Sequence, residues 1–217
     1  MDCIEGMKQY PDKFFDLAIV DPIYGDVTQG GWYKNPSCAD KLAKAGNYSV
    51  SIWSQEKTPK AYFDELMRVS KNQIIWGGNY FQEEINKNSQ GWIVWDKQNG
   101  DNNFADCELA WTSFNRATRM FTFRWAGMLQ GNMKDKEFRI HPTQKPVALY
   151  TWILNNFAKK GNKILDTHVG SASSLIACHK LGFDYVGFEL DTEYYKYSSQ
   201  RLENTKNQIS MFDGGAE

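Results

Sequence analysis

Near the N-terminus, a carboxylate, a proline carbonyl and an aromatic ring occur within four residues. The run Asp21-Pro22-Ile23-Tyr24 follows the apolar segment 15–20 (FDLAIV), which predicts a buried strand ended by the proline. The Asp21 carboxylate and the Pro22 carbonyl are acceptors for the two N–H groups of an amino group. Such acceptors localise the nitrogen lone pair, and the carboxylate gains attraction as the nitrogen becomes positive. The spacing predicts activation of a poorly nucleophilic amine, such as that of adenine, with the Tyr24 ring stacked on the extruded base.

The C-terminal half carries the pattern of a nucleotide-binding α/β unit. It predicts a strand, a Gly/Ser-rich turn, a helix and a second strand, at Lys163–Leu165, 166–172, Ser173–Leu181 and Tyr185–Phe188. Glu189 follows Gly170 by about 20 residues, the offset at which an acidic side chain binds a ribose diol. Asp166, at the end of its strand, is placed to pair with a ligand ammonium or sulfonium group. The G-x-G-x-x-G fingerprint is absent, which favours a ligand with ribose and adenine but no pyrophosphate. A turn used only for packing stays open as an alternative.

The remaining elements also alternate between strands and helices, which predicts an α/β fold with a mostly parallel sheet. A helix is predicted over Pro59–Val69, and Pro146 is expected in the first turn of another helix that Gly161 caps. Further predicted elements are strands at Gln73–Trp76, Gly91–Trp95 and Cys107–Thr112, and a final helix at Thr192–Asn207. The Gly25–Ser49 stretch predicts a long loop and a candidate lid over the base.

Length and composition indicate a soluble chain with one domain over 1–217. The 217 residues suffice for a buried core, and the eight tryptophans are either core side chains or stacking surfaces. The four cysteines are scattered, which argues against a zinc site and a disulfide framework and predicts a reducing cytoplasm. No apolar run of signal-peptide or membrane-spanning length occurs in the sequence, so no membrane partner is expected.

The formal net charge of −1 means that any nucleic-acid binding must come from a local patch. The segment 113–145 holds such a patch, with aromatic residues interleaved and only two acidic residues, Asp135 and Glu137. Its basic residues other than Lys145 are the predicted DNA contacts: Arg116, Arg119, Arg124, Lys134, Lys136 and Arg139. They read base edges or touch phosphates, and a merely solvated strand face is the competing interpretation.

Several motifs, in this order, resemble the permuted β-type DNA amino-methyltransferases, in which the catalytic motif precedes the cofactor motif. Asp21-Pro22-Ile23-Tyr24 resembles D-P-P-Y, and 141–146 (HPTQKP) resembles H-P-T-x-K-P. The run 166–171 (DTHVGS) resembles D-P-F-x-G-S, and Gly187-Phe188-Glu189 resembles the ribose-binding G-x-E. The resemblance covers nearly the whole chain. It implies a Rossmann-like, S-adenosylmethionine-dependent methyltransferase fold in circularly permuted order, with a small target-recognition insertion around 113–140.

The resemblance also implies an activity and a set of site residues. The activity is direct in-line methyl transfer to N6 of a flipped adenine in duplex DNA, with Asp21, Pro22 and Tyr24 as the catalytic residues and no metal. Asp2 takes the position of an acidic residue that contacts the cofactor adenine. The implied cofactor-binding set is Asp2, Cys3, Asp21, His141, Thr143, Lys145, Asp166, His168, Gly170, Ser171, Glu189 and Leu190.

The sequence departs from the family pattern at a few positions. Ile23 replaces a proline whose role is mainly shape, Thr167 and His168 replace Pro-Phe, and Ala172 replaces a glycine. His168 is expected to be a packing substitution. The aspartate at position 21 favours adenine, because cytosine enzymes more often carry serine there. The alternatives are a cytosine-N4 or RNA amino-methyltransferase and a non-catalytic methyltransferase-like binding module. A homodimer and a restriction endonuclease of the same system both fit as partners.

Overall fold

The computed structural model describes residues 1–25, 56–100, 105–126 and 129–213. The helices are α1 (Cys3–Met7), α2 (Lys60–Val69), α3 (Gln82–Ile85), α4 (Val147–Phe157), α5 (Ser173–Leu181) and α6 (Thr192–Asp213). The strands are β1 (Phe15–Val20), β2 (Ser70–Trp76), β3 (Trp92–Asp96), β4 (Cys107–Thr112), β5 (Arg119–Thr122), β6 (Trp125–Ala126), β7 (Leu129–Gln130), β8 (Lys163–Asp166) and β9 (Asp184–Gly187). The candidate lid at Gly25–Ser49 lies outside the described residues except for Gly25. None of the described helices is long and apolar enough to cross a membrane.

Seven strands form one sheet in the order β5-β3-β4-β2-β1-β8-β9, and β6 and β7 form a separate antiparallel pair. The pairs β1–β8, β8–β9 and β3–β5 are parallel, whereas β4 runs antiparallel to both β2 and β3. The prediction of an α/β fold with a mostly parallel sheet is confirmed.

The chain divides into two compact units. Unit 1 comprises Met1–Val20, Glu65–Gln73 and Phe138–Glu217, and unit 2 comprises Asp21–Asp64 and Ile74–Glu137. Compactness alone does not decide whether a unit folds independently. The single domain over 1–217 therefore stays a prediction.

Unit 1 is built on parallel strands, of which β1 is buried on both faces. In β1, Phe15 and the run Leu17–Val20 are buried, as expected for a parallel strand in the interior of a sheet. Its register with β8 pairs Leu17 with Ile164, and β8 in turn pairs Ile164 with Tyr185. Helices α4 and α5 pack against each other. The Phe188 amide donates to the Asp166 carbonyl at 2.9 Å, and the Val169 amide donates to the Phe188 carbonyl at 3.1 Å, so the β8–α5 turn is tied to the end of β9.

Unit 2 has a tryptophan-rich core. Trp76, Trp95, Trp111 and Trp125 are each no more than 7% exposed. The rings of Trp76 and Trp95 lie 6.3 Å apart in an edge-to-face arrangement, a geometry that aromatic pairs favour. These four residues are therefore core side chains, the first of the two interpretations that composition left open.

Predicted element boundaries differ from the structure mainly at helix ends. Helix α4 ends at Phe157 because Ala158 adopts an extended conformation with φ −106° and ψ 158°. The predicted cap at Gly161 is wrong, since this glycine lies in the following turn with φ +85°. Pro146 precedes the helix as its N-cap, with ψ 146°, and is not in the first turn. At the other end of the chain, α6 continues beyond Asn207 to Asp213.

Candidate active site

The Asp21–Tyr24 motif in unit 2 forms a turn with its own internal hydrogen bond. The Tyr24 hydroxyl donates to Asp21 Oδ1 at 2.5 Å. Asp21 is half-buried and Pro22 is buried. A phenol that donates to a carboxylate makes a charge-assisted hydrogen bond, which is stronger than a neutral one. Tyr24 therefore orients the Asp21 carboxylate, in addition to the stacking role predicted for its ring.

Thr58 fixes the main chain of the motif. The amide of Ile23 donates to Thr58 Oγ1 at 3.0 Å, and the amide of Thr58 donates to the Ile23 carbonyl at 3.0 Å. The Thr58 hydroxyl also donates to that carbonyl at 3.2 Å. A proline at position 23 has no N–H and cannot make the first of these bonds. The Ile23 departure therefore supplies a donor that anchors the turn, a function that sequence reasoning missed.

The Tyr24 ring packs between glycine backbone and aromatic side chains. Gly77 has φ +65°, and a methyl group built on it would overlap Tyr24 Cε1. The ring of Tyr80 stacks on Tyr24 with centroids 5.1 Å apart and an interplanar angle of 27°. The Phe81 ring lies edge-on to Tyr24 at 5.9 Å. The sequence indicated only that glycines close strand β2, so the contacts of Gly77 and Tyr80 with Tyr24 were missed.

Replacing Gly77 with alanine is expected to displace Tyr24 and reduce turnover. The left-handed backbone conformation alone costs an L-residue about 1 kcal/mol, and the overlap with the ring adds to that cost. Gly182→Ala is the matched control, because Gly182 has φ +71° and open space where its Cβ would lie. Urea unfolding and kcat should show that Gly182→Ala loses only stability, whereas Gly77→Ala loses more stability and also activity. Equal effects in the two variants would contradict the packing role.

In unit 1, Asp166 ties the end of β8 to the start of α5. Its Oδ1 accepts from the His168 amide at 3.0 Å, and its Oδ2 accepts from the Ser174 hydroxyl. The side chain is only 3% exposed. The next residue, Thr167, contacts His168 Nδ1 through its hydroxyl at 2.9 Å. Asp166 thus organises the turn, and its pairing with a cationic ligand stays a prediction.

Glu189 connects the β8–α5 turn with the turn between β9 and α6, the two turns of the predicted cofactor site. Its Oε2 accepts from the Gly170 amide at 2.8 Å, and its Oε1 accepts from the Asp191 amide at 2.9 Å. The proximity that the Gly170–Glu189 spacing predicted is therefore present. Each carboxylate oxygen has a second lone pair, so a ribose diol fits the same carboxylate. Leu190 beside it is 61% exposed, and its role as a cofactor contact stays a prediction.

Helix α1 lies beside Glu189. The N-terminal ammonium group donates to the Glu189 carbonyl at 2.8 Å. Asp2 caps α1, with Oδ1 accepting from the amides of Ile4 and Glu5 at 3.0 and 3.1 Å. Burial, together with the negative charges of Asp2 and Glu189, raises the pKa of the Cys3 thiol to about 12. Cys3 is therefore a neutral thiol at physiological pH and is not suited to act as a nucleophile.

The 141–146 turn packs onto the β8–α5 turn through His141. Its buried ring lies 4.3 Å from the Tyr194 ring, and a Cβ built on Gly170 would lie 3.6 Å from it. The Thr143 amide donates to His141 Nδ1 at 3.3 Å, which requires that nitrogen to carry no proton. Lys145 is buried, whereas Thr143 is exposed. The structure thus gives His141 a packing role, and the cofactor contacts of His141, Thr143 and Lys145 stay predictions.

Arg201 of α6 clamps the β8–α5 turn at its strained residue. Ala172, the N-cap of α5, has φ +60°, which is unfavourable for an L-residue. Arg201 Nη1 donates to the Ser171 carbonyl at 2.7 Å and to Ser173 Oγ at 2.9 Å, so it binds the residues on both sides of Ala172. Sequence reasoning missed Arg201, because nothing in the periodicity of α6 distinguishes this arginine.

Replacing Ala172 with glycine is expected to leave stability nearly unchanged, because glycine adopts φ near +60° without steric cost but loses a buried methyl group. Relief of strain contributes about 1 kcal/mol, and loss of the methyl that packs with Val169 and Leu175 costs about 0.8 kcal/mol. The matched control is Ala177→Gly, in the interior of the same helix, which loses a buried methyl without relief of strain and should lower the free energy of unfolding by at least about 1 kcal/mol. Urea denaturation measures both, and equal destabilisation of the two variants would be inconsistent with backbone strain at Ala172.

The predicted DNA-contacting residues lie on irregular segments and on β5. Arg119, Arg124, Lys134 and Lys136 are exposed, while Arg116 is half-buried. Arg139, which belongs to unit 1, is also half-buried. The Arg124 side chain donates from Nε to the Gln98 carbonyl at 3.3 Å. The exposed residues are accessible to phosphates, and their contacts with DNA stay predictions.

Residues 32–200 match the DNA methylase family whose members act on N6 or N4 amino groups. The chain belongs to this family. The resemblance drawn from the motifs is thereby confirmed, and the chain is a DNA methyltransferase of the N6/N4 type. The match covers most of the chain and begins after the Asp21–Tyr24 motif.

Two related methyltransferases align with almost the full chain. Type II methyltransferase M.HinfI of Haemophilus influenzae is 24% identical over 94% of this chain and 67% of that protein. Type II methyltransferase M2.MboI of Moraxella bovis is 25% identical over 92% of this chain and 85% of that protein.

Two solved structures share the fold. M1.HpyAVI in complex with SAM has a TM-score of 0.56 and 18% identity, covering 92% of this chain and 96% of that one. The cytosine-N4-specific PvuII DNA methyltransferase has a TM-score of 0.58 and 11% identity, covering 96% and 90%. The Rossmann-like methyltransferase fold predicted from the sequence is confirmed.

Proposed function

We propose that this DNA methyltransferase transfers a methyl group from S-adenosylmethionine to N6 of adenine in duplex DNA. The observation that carries the proposal is the Asp21–Pro22–Tyr24 turn, in which an oriented carboxylate, a proline carbonyl and an aromatic ring lie together. Tyr24 holds Asp21 through the 2.5 Å hydrogen bond, and Thr58 fixes the intervening main chain. Such an arrangement fits one exocyclic amino group of an extruded base.

The residues of the turn act on the amino group as follows. The Asp21 carboxylate and the Pro22 carbonyl accept its two hydrogens and localise the lone pair on nitrogen. Positive charge develops on that nitrogen during the transfer, so the attraction to Asp21 is stronger in the transition state than in the ground state. Asp21 then holds the proton-bearing nitrogen until the proton leaves to solvent. Neither a metal nor a covalent enzyme intermediate is required.

The cofactor is held by residues of unit 1. S-adenosylmethionine supplies the methyl group from its sulfonium, and M1.HpyAVI was solved with this cofactor. The second lone pairs of the Glu189 carboxylate suit the ribose hydroxyls, and the Gly170 amide beside it already donates to that carboxylate. The donors and acceptors present therefore fit a nucleoside with a free diol. Asp2, Cys3 and Leu190 are proposed to line the adenine end.

Adenine is favoured over cytosine by the carboxylate at position 21. An aspartate offers a full negative charge to the developing ammonium, whereas a serine offers only a neutral dipole. The family includes both N6 and N4 enzymes, and likeness to the cytosine-N4-specific PvuII enzyme concerns the fold alone. Cytosine-N4 methylation is therefore the second candidate.

The DNA partner is proposed from the exposed basic residues, and the biological setting is proposed from the related methyltransferases. The exposed Arg119, Arg124, Lys134 and Lys136 are proposed to contact duplex phosphates, with the segment 113–140 as the target-recognition insertion. Because M.HinfI and M2.MboI are named Type II methyltransferases, we propose a role in a cytoplasmic restriction–modification system. A homodimer and a cognate endonuclease are the proposed protein partners.

The proposal is tested by expressing the chain in a host that lacks DNA methylation and sequencing the genome for modified bases. N6-methyladenine at nearly every copy of one short sequence is the expected result, and it also gives the recognition sequence. N4-methylcytosine would replace the adenine assignment with the second candidate. An unmodified genome, with purified chain that still binds S-adenosylmethionine, would contradict DNA as the substrate.

A further inference from the structure

Phe138 is the most exposed large hydrophobic side chain among the described residues, at 83%. The next most exposed side chains of this kind, Met1 and Met120, reach 63%. A single exposed apolar residue is common and needs no explanation. Phe138 differs because the main chain on either side of it is held in place.

Two buried glutamines hold that main chain. Gln130 accepts from the Glu137 amide at 2.7 Å and donates to the Glu137 carbonyl at 2.8 Å. Gln144 accepts from the Ile140 amide at 3.0 Å and donates to the Phe138 carbonyl at 3.3 Å. Both glutamines are 5% exposed. They give an irregular segment the hydrogen bonds that strand pairing otherwise supplies, so the Phe138 ring is presented to solvent from an ordered main chain.

The charge around the ring favours one kind of partner. Lys134 and Lys136 precede it and are exposed. Asp135 is bound by Asn132, whose Nδ2 donates to Asp135 Oδ2 at 2.9 Å. The segment 134–139 carries three cationic residues, Lys134, Lys136 and Arg139, against the two acidic residues Asp135 and Glu137. An apolar ring in such a segment suits a polyanion with an apolar interior, and the base stack of duplex DNA between its phosphates has that character.

We propose that Phe138 is a wedge that enters the base stack of duplex DNA where the target base has been extruded. Apolar side chains that insert between base steps compensate for lost stacking, and extruding a base costs unstacking and unpairing energy. The wedge lowers that cost by occupying the vacated space. This inference rests on the proposed function, because only an enzyme that extrudes its target base leaves a gap to fill.

The test compares Phe138→Ala with wild type on two duplexes that carry the recognition sequence. In one the target base is paired, and in the other it faces an abasic site, which removes the unpairing cost. On the paired duplex kcat/KM should fall by about 10- to 100-fold. On the abasic duplex the loss should be less than about 3-fold, since little extrusion energy remains to be compensated. Phe138→Leu, which keeps an apolar wedge, should fall between wild type and alanine.

Tyr197→Ala is the matched control, because Tyr197 is an aromatic residue of α6 that is 55% exposed. It should behave as wild type on both duplexes, and all variants should keep the wild-type melting temperature and S-adenosylmethionine affinity. Equal losses of kcat/KM for Phe138→Ala on the two duplexes, or no loss on either, would overturn the wedge. Methylation by wild type in the same assay would leave the proposed function standing. A dimer that dissociates in the Phe138→Ala variant would assign the ring to a second copy of the chain and also overturn it. A wild-type chain that methylates neither duplex would overturn the proposed function itself.

Discussion

Replacing Asp21 with asparagine should reduce kcat for DNA methylation by about 10²- to 10³-fold. The amide keeps the size of the side chain but removes the negative charge that stabilises the developing ammonium. It also presents either an oxygen or an NH2 group to Tyr24, whose hydroxyl donates to Asp21 at 2.5 Å in the wild type. The loss should appear in kcat, because the interaction strengthens only as charge develops.

Single-turnover kinetics and calorimetry together separate this effect from loss of cofactor. The affinity for S-adenosylmethionine should change far less than kcat, because Glu189 is the proposed ribose contact. Asp64→Asn is the control in the same unit: Asp64 is an exposed carboxylate paired with Lys60 at 2.5 Å on α2, and such pairs contribute little. Wild-type turnover in Asp21→Asn would remove the carboxylate from the mechanism.

The second large effect is expected for Glu189→Gln, which should weaken S-adenosylmethionine binding by about 10- to 100-fold. The carboxylate accepts from two backbone amides, those of Gly170 and Asp191. A glutamine has one acceptor oxygen, so its NH2 group must face one of these N–H groups or a ribose hydroxyl. At saturating cofactor, kcat should be nearly that of wild type.

Isothermal titration measures this affinity, with Glu193→Gln as the control. Glu193 is exposed in the first turn of α6, so its loss should leave the dissociation constant unchanged. A Glu189→Gln variant that binds the cofactor as tightly as wild type would exclude the carboxylate from ribose recognition.

Where the local sequence marks both ends of an element clearly, its first and last residues were predicted correctly. Strand β1 and helix α5 have the predicted bounds, Phe15–Val20 and Ser173–Leu181. The first is a continuous apolar run stopped by proline, and the second ends at Gly182 with φ +71°. The end of α4 was not predictable, because alanine is a good helix former and the type of Ala158 gives no sign of a stop, whereas Gly161 is a typical cap. The helix nevertheless ends before Ala158, whose backbone is extended.

In the candidate site, too, contacts set by local sequence patterns were predicted and contacts between distant parts of the chain were missed. The meeting of Gly170 with Glu189 was predicted because a β-α-β unit of fixed length brings these positions together. Thr58, Gly77 and Arg201 were missed, since each reaches its partner from a distant part of the chain. The Ile23 departure illustrates the limit: the sequence indicated a tolerated change of shape, while the structure shows a backbone donor to Thr58.

Labelled S-adenosylmethionine shows whether this chain methylates the adenine amino group of DNA through Asp21. Purified wild type and Asp21→Asn are each incubated with unmethylated genomic DNA, which is then digested to nucleosides and separated. We expect label in N6-methyldeoxyadenosine with wild type and almost none with the variant. Label in the cytosine nucleoside, or equal label from both proteins, would contradict it.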